Sequence, residues 1–116
     1  MYTIKIYYRT GDSFHTEDTE QILEGSWDNL VILRANLERI KNHYKYYETI
    51  YGYSLYKLPE LEEPENWNKE YPWQITLYLD NGNEWKFHAF WCGYFETLLG
   101  AEIVEINPIE QDKFWL

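Results

Sequence analysis

Only one cysteine, Cys92, occurs in the chain. No internal disulfide can form, which suits a reducing cytosol. Long apolar runs are missing as well. None approaches the roughly 20 residues that a membrane-spanning helix needs. Met1-Tyr2-Thr3-Ile4-Lys5-Ile6 alternates where a secretion signal would hold an unbroken apolar stretch, so neither export nor membrane insertion is expected. Basic charge is scarce: 10 Lys and Arg stand against 20 Asp and Glu, a net charge of −10. Such a chain repels a phosphate backbone, and direct nucleic-acid binding is disfavoured. The acidity serves solubility, or it imitates nucleic acid toward a basic partner; both readings stay open. Also absent are a phosphate-binding glycine loop, zinc-type Cys/His spacing and a nucleophile elbow. No enzyme activity, metal or cofactor is expected.

Aromatic residues are what the chain has in excess: six Trp, twelve Tyr and five Phe make up 20% of it. Each large ring buries roughly 150–250 Å², so fewer would fill the core of a 116-residue domain. The surplus predicts rings left at the surface for an interface or for stacking on a flat ligand.

One domain spanning residues 1–116 is expected, of α+β class. Tyr2, Ile4, Ile6 and Tyr8 share a parity that marks a half-buried strand. Thr10-Gly11-Asp12-Ser13 supplies a turn, and the polar stretch Phe14–Leu23 then reads as a hairpinned edge strand whose Glu17, Asp18 and Glu20 deter stray pairing. Gly25-Ser26 marks a helix start, with Ser26 as N-cap and Asp28 in the first turn. Leu30, Leu33, Leu37, Ile40, Tyr44, Tyr47 and Tyr51 follow at alternating spacings of three and four, one face of a long helix that ends at Gly52. Residues 53–72 read as a long acidic loop containing Pro59 and Pro64, with Trp67 docking onto something.

The next hairpin has a derivable register. A two-residue Asn81-Gly82 loop would set Leu77 against Lys86 and Ile75 against His88. A three-residue loop, Asp80-Asn81-Gly82, pairs Leu77 with Trp85, Ile75 with Phe87 and Thr76 with Lys86. One residue of slip flips every side chain, so the three-residue loop is predicted, with Gly82 left-handed. Residues 91–97 read as a turn or short helix, and Ala101–Ile106 as a last strand. About five strands in a mostly antiparallel sheet (two hairpins plus a C-terminal strand), packed by one long helix, are expected. Strand order does not follow from the sequence.

Catalytic constellations are weak. His88 and Cys92 share a parity but would lie roughly 13 Å apart along a strand, too far for a common metal unless the chain turns sharply at Trp91. Ser13 and His15 stand about 7 Å apart on one face, beyond hydrogen-bond reach. Asp12, Glu17, Asp18 and Glu20 could pair as carboxylates for acid–base work or Mg²⁺, yet a polar edge strand accounts for them. Binding is better supplied. Trp67, Trp73, Trp91, Tyr94 and Phe95 surround the irregular loop and the turn after the second hairpin, and Arg34 or Arg39 could meet a phosphate. Taken singly, each of these reads first as a core ring or a helix-surface ion pair; as a set they read as a binding site.

The opening strand with Thr10-Gly11-Asp12-Ser13-Phe14, Glu17-Asp18, Trp27 and the long helix resembles a group of small uncharacterised bacteriophage proteins. So does the closing Trp91-Cys92-Gly93-Tyr94-Phe95-Glu96-Thr97-Leu98 with Ala101-Glu102-Ile103. The likeness covers both ends of the chain but not the acidic loop. It implies a phage accessory protein at work in the host bacterial cytoplasm. Two roles fit that setting. One is non-enzymatic counter-defence by sequestering a nucleotide-derived immune signal, a cyclic nucleotide or cyclic ADP-ribose, usually as a homo-oligomer. The other is an acidic inhibitor that blocks a basic host defence enzyme by charge mimicry. A structural or assembly factor is the third, blander possibility.

Overall fold

Alternation at the start of the chain becomes a ten-residue strand, β1 (Tyr2–Gly11), in a computed structural model that describes residues 1–11, 14–51, 62–88 and 95–106. Ile4 and Ile6 point into the core, while Lys5 and Arg9 face outward. Strand β2 (Thr16–Ile22) folds back on β1, pairing Lys5 with Ile22 through Gly11 with Thr16. All seven of its residues are exposed, as the polar edge reading requires. Arg9 meets Asp18 at 2.7 Å and Lys5 meets Glu20 at 3.3 Å across this pair. The guanidinium of Arg9 holds the Asp18 carboxyl below the usual carboxylate range.

The helix α1 (Leu30–Tyr51) begins later than expected. Asn29, not Ser26, caps it: its Oδ1 accepts from the N–H groups of Val31 and Ile32 at 3.0 and 3.3 Å. Asp28 precedes the helix, and its backbone N–H donates to Asp80. The segment read as a helix start instead extends the sheet, because Trp27 exchanges both backbone hydrogen bonds with Tyr2 at 2.8 Å. Gly25 is needed there for a different reason: a Cβ on it would come within 2.6 Å of the Trp27 ring. Leu33, Ile40 and Tyr44 of the predicted stripe are buried, and Leu30, Leu37 and Tyr47 pack partly buried against them. Each large side chain buried on this face contributes about 1.5–3 kcal/mol of gross stabilisation. Gly52 lies outside the described residues.

Strands β3 (Gln74–Tyr78) and β4 (Glu84–His88) form the second hairpin. Its register is the predicted one, with Ile75 opposite Phe87, Thr76 opposite Lys86 and Leu77 opposite Trp85. The loop is closed by Leu79 N–H to Asn83 O at 2.9 Å, and Gly82 takes φ +85°. Strand β5 (Phe95–Glu105) corrects the sequence reading, since Phe95–Thr97 is strand rather than turn or helix. It runs along the whole of β1, with a bulge: Tyr7 faces Gly100 and Tyr8 faces Leu98, leaving Leu99 unpaired. That extra residue breaks the two-residue period and hid the first half of the strand from view.

The five strands are antiparallel and divide into a three-stranded sheet, in the order β2-β1-β5, and the β3-β4 ribbon. One helix packs on both. Ile4, Ile6, Leu23, Trp27, Leu33, Ile40, Tyr44, Ile75, Leu77 and Phe87 make one continuous core between them. The fold is therefore α+β. Among the described residues, no helix is long and apolar enough to cross a membrane.

Candidate functional site

Polar groups collect at the joint between α1 and β3: of the three buried polar side chains among the described residues, Asn36 and His43 lie on this side of the helix and Thr3 lies on β1. Asn36, fully buried, sends its Nδ2 to the carbonyl of Tyr78 at 2.8 Å, and its Oδ1 accepts the Tyr78 N–H at 3.1 Å. The same carbonyl accepts from Trp27 Nε1 at 2.8 Å. One turn along the helix, Arg39 lays its guanidinium 4.6 Å over the Tyr78 ring and donates to Asn36 Oδ1 at 3.1 Å. Its Nε is buried and has no hydrogen-bond partner among the described residues. A buried donor left in that state costs about 1–3 kcal/mol, so it needs an explanation.

The described part of the acidic segment, residues 62–72, folds back over this joint. Asn66, at φ 66°, donates to the Tyr78 hydroxyl at 2.9 Å. Asn68 Oδ1 accepts from the N–H groups of Glu70 and Tyr71 at 2.9 and 3.2 Å, which fixes the turn. Buried His43 closes the seam, with Nε2 2.6 Å from the Pro72 carbonyl. A carbonyl only accepts, so Nε2 carries the proton and donates. Burial pulls the His43 pKa below its ordinary value, and the Pro72 bond opposes this more weakly. The Trp67 ring lies 4.8 Å from the His43 ring and 4.9 Å from that of Tyr46. The docking partner expected for Trp67 is thus the protein's own helix, although Trp67 stays half-buried.

Of the hollows that border the described part of this segment, two adjoin each other. One, of about 260 Å³, lies between α1, residues 64–66 and β3, and its walls include Arg39, Asn42, His43, Glu65 and Asn66. The other, an open shelf of about 520 Å³ on the outer face of β3 and β4, is bordered by Trp67, Lys69, Glu70, Glu84 and Lys86. Asn66 and Thr76 belong to both. Neither Lys69 nor Lys86 is ion-paired with a described carboxylate. Arg39 in the first hollow, and Lys69 and Lys86 beside Trp67 on the shelf, set cations among the carboxylates of an acidic chain, and a cation next to an aromatic ring suits an anion joined to a flat group.

Of the sequence candidates, the structure brings Arg39 and Trp67 to this place. Arg34 lies five helix positions before Arg39, about 140° around the axis, and is exposed away from both hollows. Trp73 packs against the core and sets its ring on edge to Tyr71, 5.7 Å away, so it is a packing residue. Phe95 opens β5 opposite Gly11. Trp91, Tyr94 and Cys92 lie outside the described residues, as do Asp12 and Ser13. Among the described residues, no group of three His, Cys, Asp or Glu is placed to hold a metal ion.

Asn36, His43, Asn66, Thr76 and Tyr78 were missed. A signal existed for two of them: Leu33, Asn36, Ile40, His43 and Tyr47 also recur at spacings of three and four, which puts two polar residues on a buried face. No protein-family model, curated protein or solved structure matches this chain.

Proposed function

We propose that the protein binds a nucleotide-derived signalling molecule, of the cyclic nucleotide or cyclic ADP-ribose type, in the hollows about Asn66 and withholds it without converting it. The observation that carries this reading is Arg39: a guanidinium held rigid on Tyr78, with one buried donor unspent, beside a hollow. Lys69 and Lys86 stand on the adjoining shelf beside Glu70 and Glu84, so the shelf is balanced in formal charge where the chain as a whole carries −10. The half-buried Trp67 contributes an aromatic surface. The shelf is open, and a second copy closing over it would make the homo-oligomer such a sponge uses. Likeness to small phage proteins supplies the setting, counter-defence in the cytoplasm of an infected bacterium.

Isothermal titration against cyclic mono- and dinucleotides and ADP-ribose cyclisation products tests the reading. Binding should appear for at least one, fall about tenfold or more in Arg39→Ala and Trp67→Ala, and survive in Glu62→Ala. Silence across the panel removes the reading.

A second reading, an acidic inhibitor of a basic host enzyme, is favoured by the wholly exposed β2 with Glu17, Asp18 and Glu20, and by exposed Glu62, Glu63, Glu65 and Glu70. It requires capture of a basic partner from bacterial lysate, with binding that weakens steeply as salt rises.

A further inference from the structure

Strand β3 turns the backbone groups of alternate residues away from β4. Leu79 N–H bonds Asn83 O directly across the hairpin, so odd-numbered residues face β4 while Gln74, Thr76 and Tyr78 face outward. The outward positions are filled at both ends. Gln74 N–H donates to Tyr71 O at 3.0 Å, and Tyr78 spends both backbone groups on the Asn36 amide. Between them, no described residue bonds the N–H or C=O of Thr76, and Thr76 borders both hollows.

We propose that the backbone N–H and C=O of Thr76 are a ligand-reading pair for a planar group whose hydrogen-bond donor and acceptor lie side by side, the edge that nucleobases and primary carboxamides carry. This deepens the small-molecule reading above and rests on it. The structure holds its own template for the interaction. Two residues along the same strand edge, a planar carboxamide, that of Asn36, fits the same pair of backbone groups at 2.8 and 3.1 Å. Thr76 repeats that geometry one rung away, roughly 7 Å along the strand, with a hollow where Tyr78 has the helix. A volume of about 260 Å³ exceeds the roughly 30 Å³ of one water several-fold, so there is room for a ring. The cations lie on either side of the rung, Arg39 on the helix side and Lys86 directly across the hairpin from Thr76. A ligand whose base sits on the rung can reach one of them with its phosphate.

The test uses the full chain and adenosine 5′-monophosphate, with two comparison ligands: the analogue whose exocyclic amine is dimethylated, and nicotinamide. Hydrogen exchange and chemical shift are followed at the Thr76 amide. The nucleotide should slow Thr76 exchange while leaving Leu77 and Leu79 unchanged, and it should bind about tenfold tighter than the dimethylated analogue, the effect of one hydrogen bond. Nicotinamide protecting the same amide would identify a carboxamide as the natural edge; protection by the nucleotide alone would identify a base. Thr76→Pro deletes the outward N–H without touching the β4 ladder and should cost about tenfold in binding, whereas Thr76→Val should change it less than about twofold. Should the proline variant fail to fold, the dimethylated analogue decides alone. Equal affinity for the two nucleotides, or an Arg39-dependent ligand that leaves the Thr76 amide untouched, overturns the assignment while the functional reading stands. Failure of every nucleotide to bind overturns the functional reading and this one with it.

Discussion

Two strand margins in this protein are handled in opposite ways. The outer margin of β3 is plugged: a side-chain amide, an indole N–H and a turn carbonyl occupy its outward-facing groups, leaving Thr76 without a partner among the described residues. The outer margin of β2 is bare along seven exposed residues and carries Glu17, Asp18 and Glu20. A plug buys rigidity and demands correct partners, because each buried polar group stranded by its loss is expensive. Charge at an exposed margin deters pairing and contributes little to stability. Each margin therefore predicts its own response to mutation.

The largest loss should come from Trp27→Ala. It empties the volume of a fully buried indole and frees the Tyr78 carbonyl of one donor, for about 3–5 kcal/mol in chemical denaturation. Asn36→Ala should cost about 1–3 kcal/mol, since the part-buried Tyr78 N–H is left unpaired. Asn36→Asp should be no better at neutral pH, because a carboxylate then confronts the Tyr78 carbonyl. If either Asn36 variant is as stable as the parent, the plug is decoration.

Acid should loosen the same side of the molecule. His43 has a folded pKa below its unfolded value near 6.5, so below about that pH the unfolded chain binds the extra proton more readily. Stability contributed by the neutral imidazole is present above that value and is lost as pH falls toward the lowered one. Glu48 works in the opposite sense, because burial raises its pKa: its contribution fades as pH rises through that raised value. Denaturation midpoints of the parent between pH 7 and 5 should show the His43 slope, and His43→Gln should flatten it. The smallest effect belongs to β2. Glu17→Gln should leave the midpoint within experimental error, and Glu20→Gln should lower it only slightly, since the Lys5–Glu20 pair lies at the exposed surface. A large shift there would erase the contrast between the margins.

Periodic features were legible from the amino acids alone. Parity along β1, the stripe on α1 and the β3–β4 register all appear as expected, because a slip in any of them would carry a whole set of apolar side chains into water. The helix start was not, since Ser26 and Asn29 are both good capping residues and only the pairing of Trp27 with Tyr2 decides between them. The first half of β5 was lost to one extra residue, Leu99. For the site, residue type was enough to nominate Arg39 and Trp67. Asn36 showed only as a polar residue at helical spacing on a buried face, and Tyr78 was beyond reach, because its role rests on backbone groups that meet a helix side chain across 42 positions of chain.

Tyr78 is where α1, the connection before it and the acidic segment all take hold of the ribbon. Its amide is tied to a helix side chain rather than to a neighbouring strand. Deuterium uptake at this position therefore clocks the parting of helix from ribbon, while uptake at Leu79, bonded within the hairpin, clocks the ribbon's own unzipping. One pair of adjacent amides can time two separate openings.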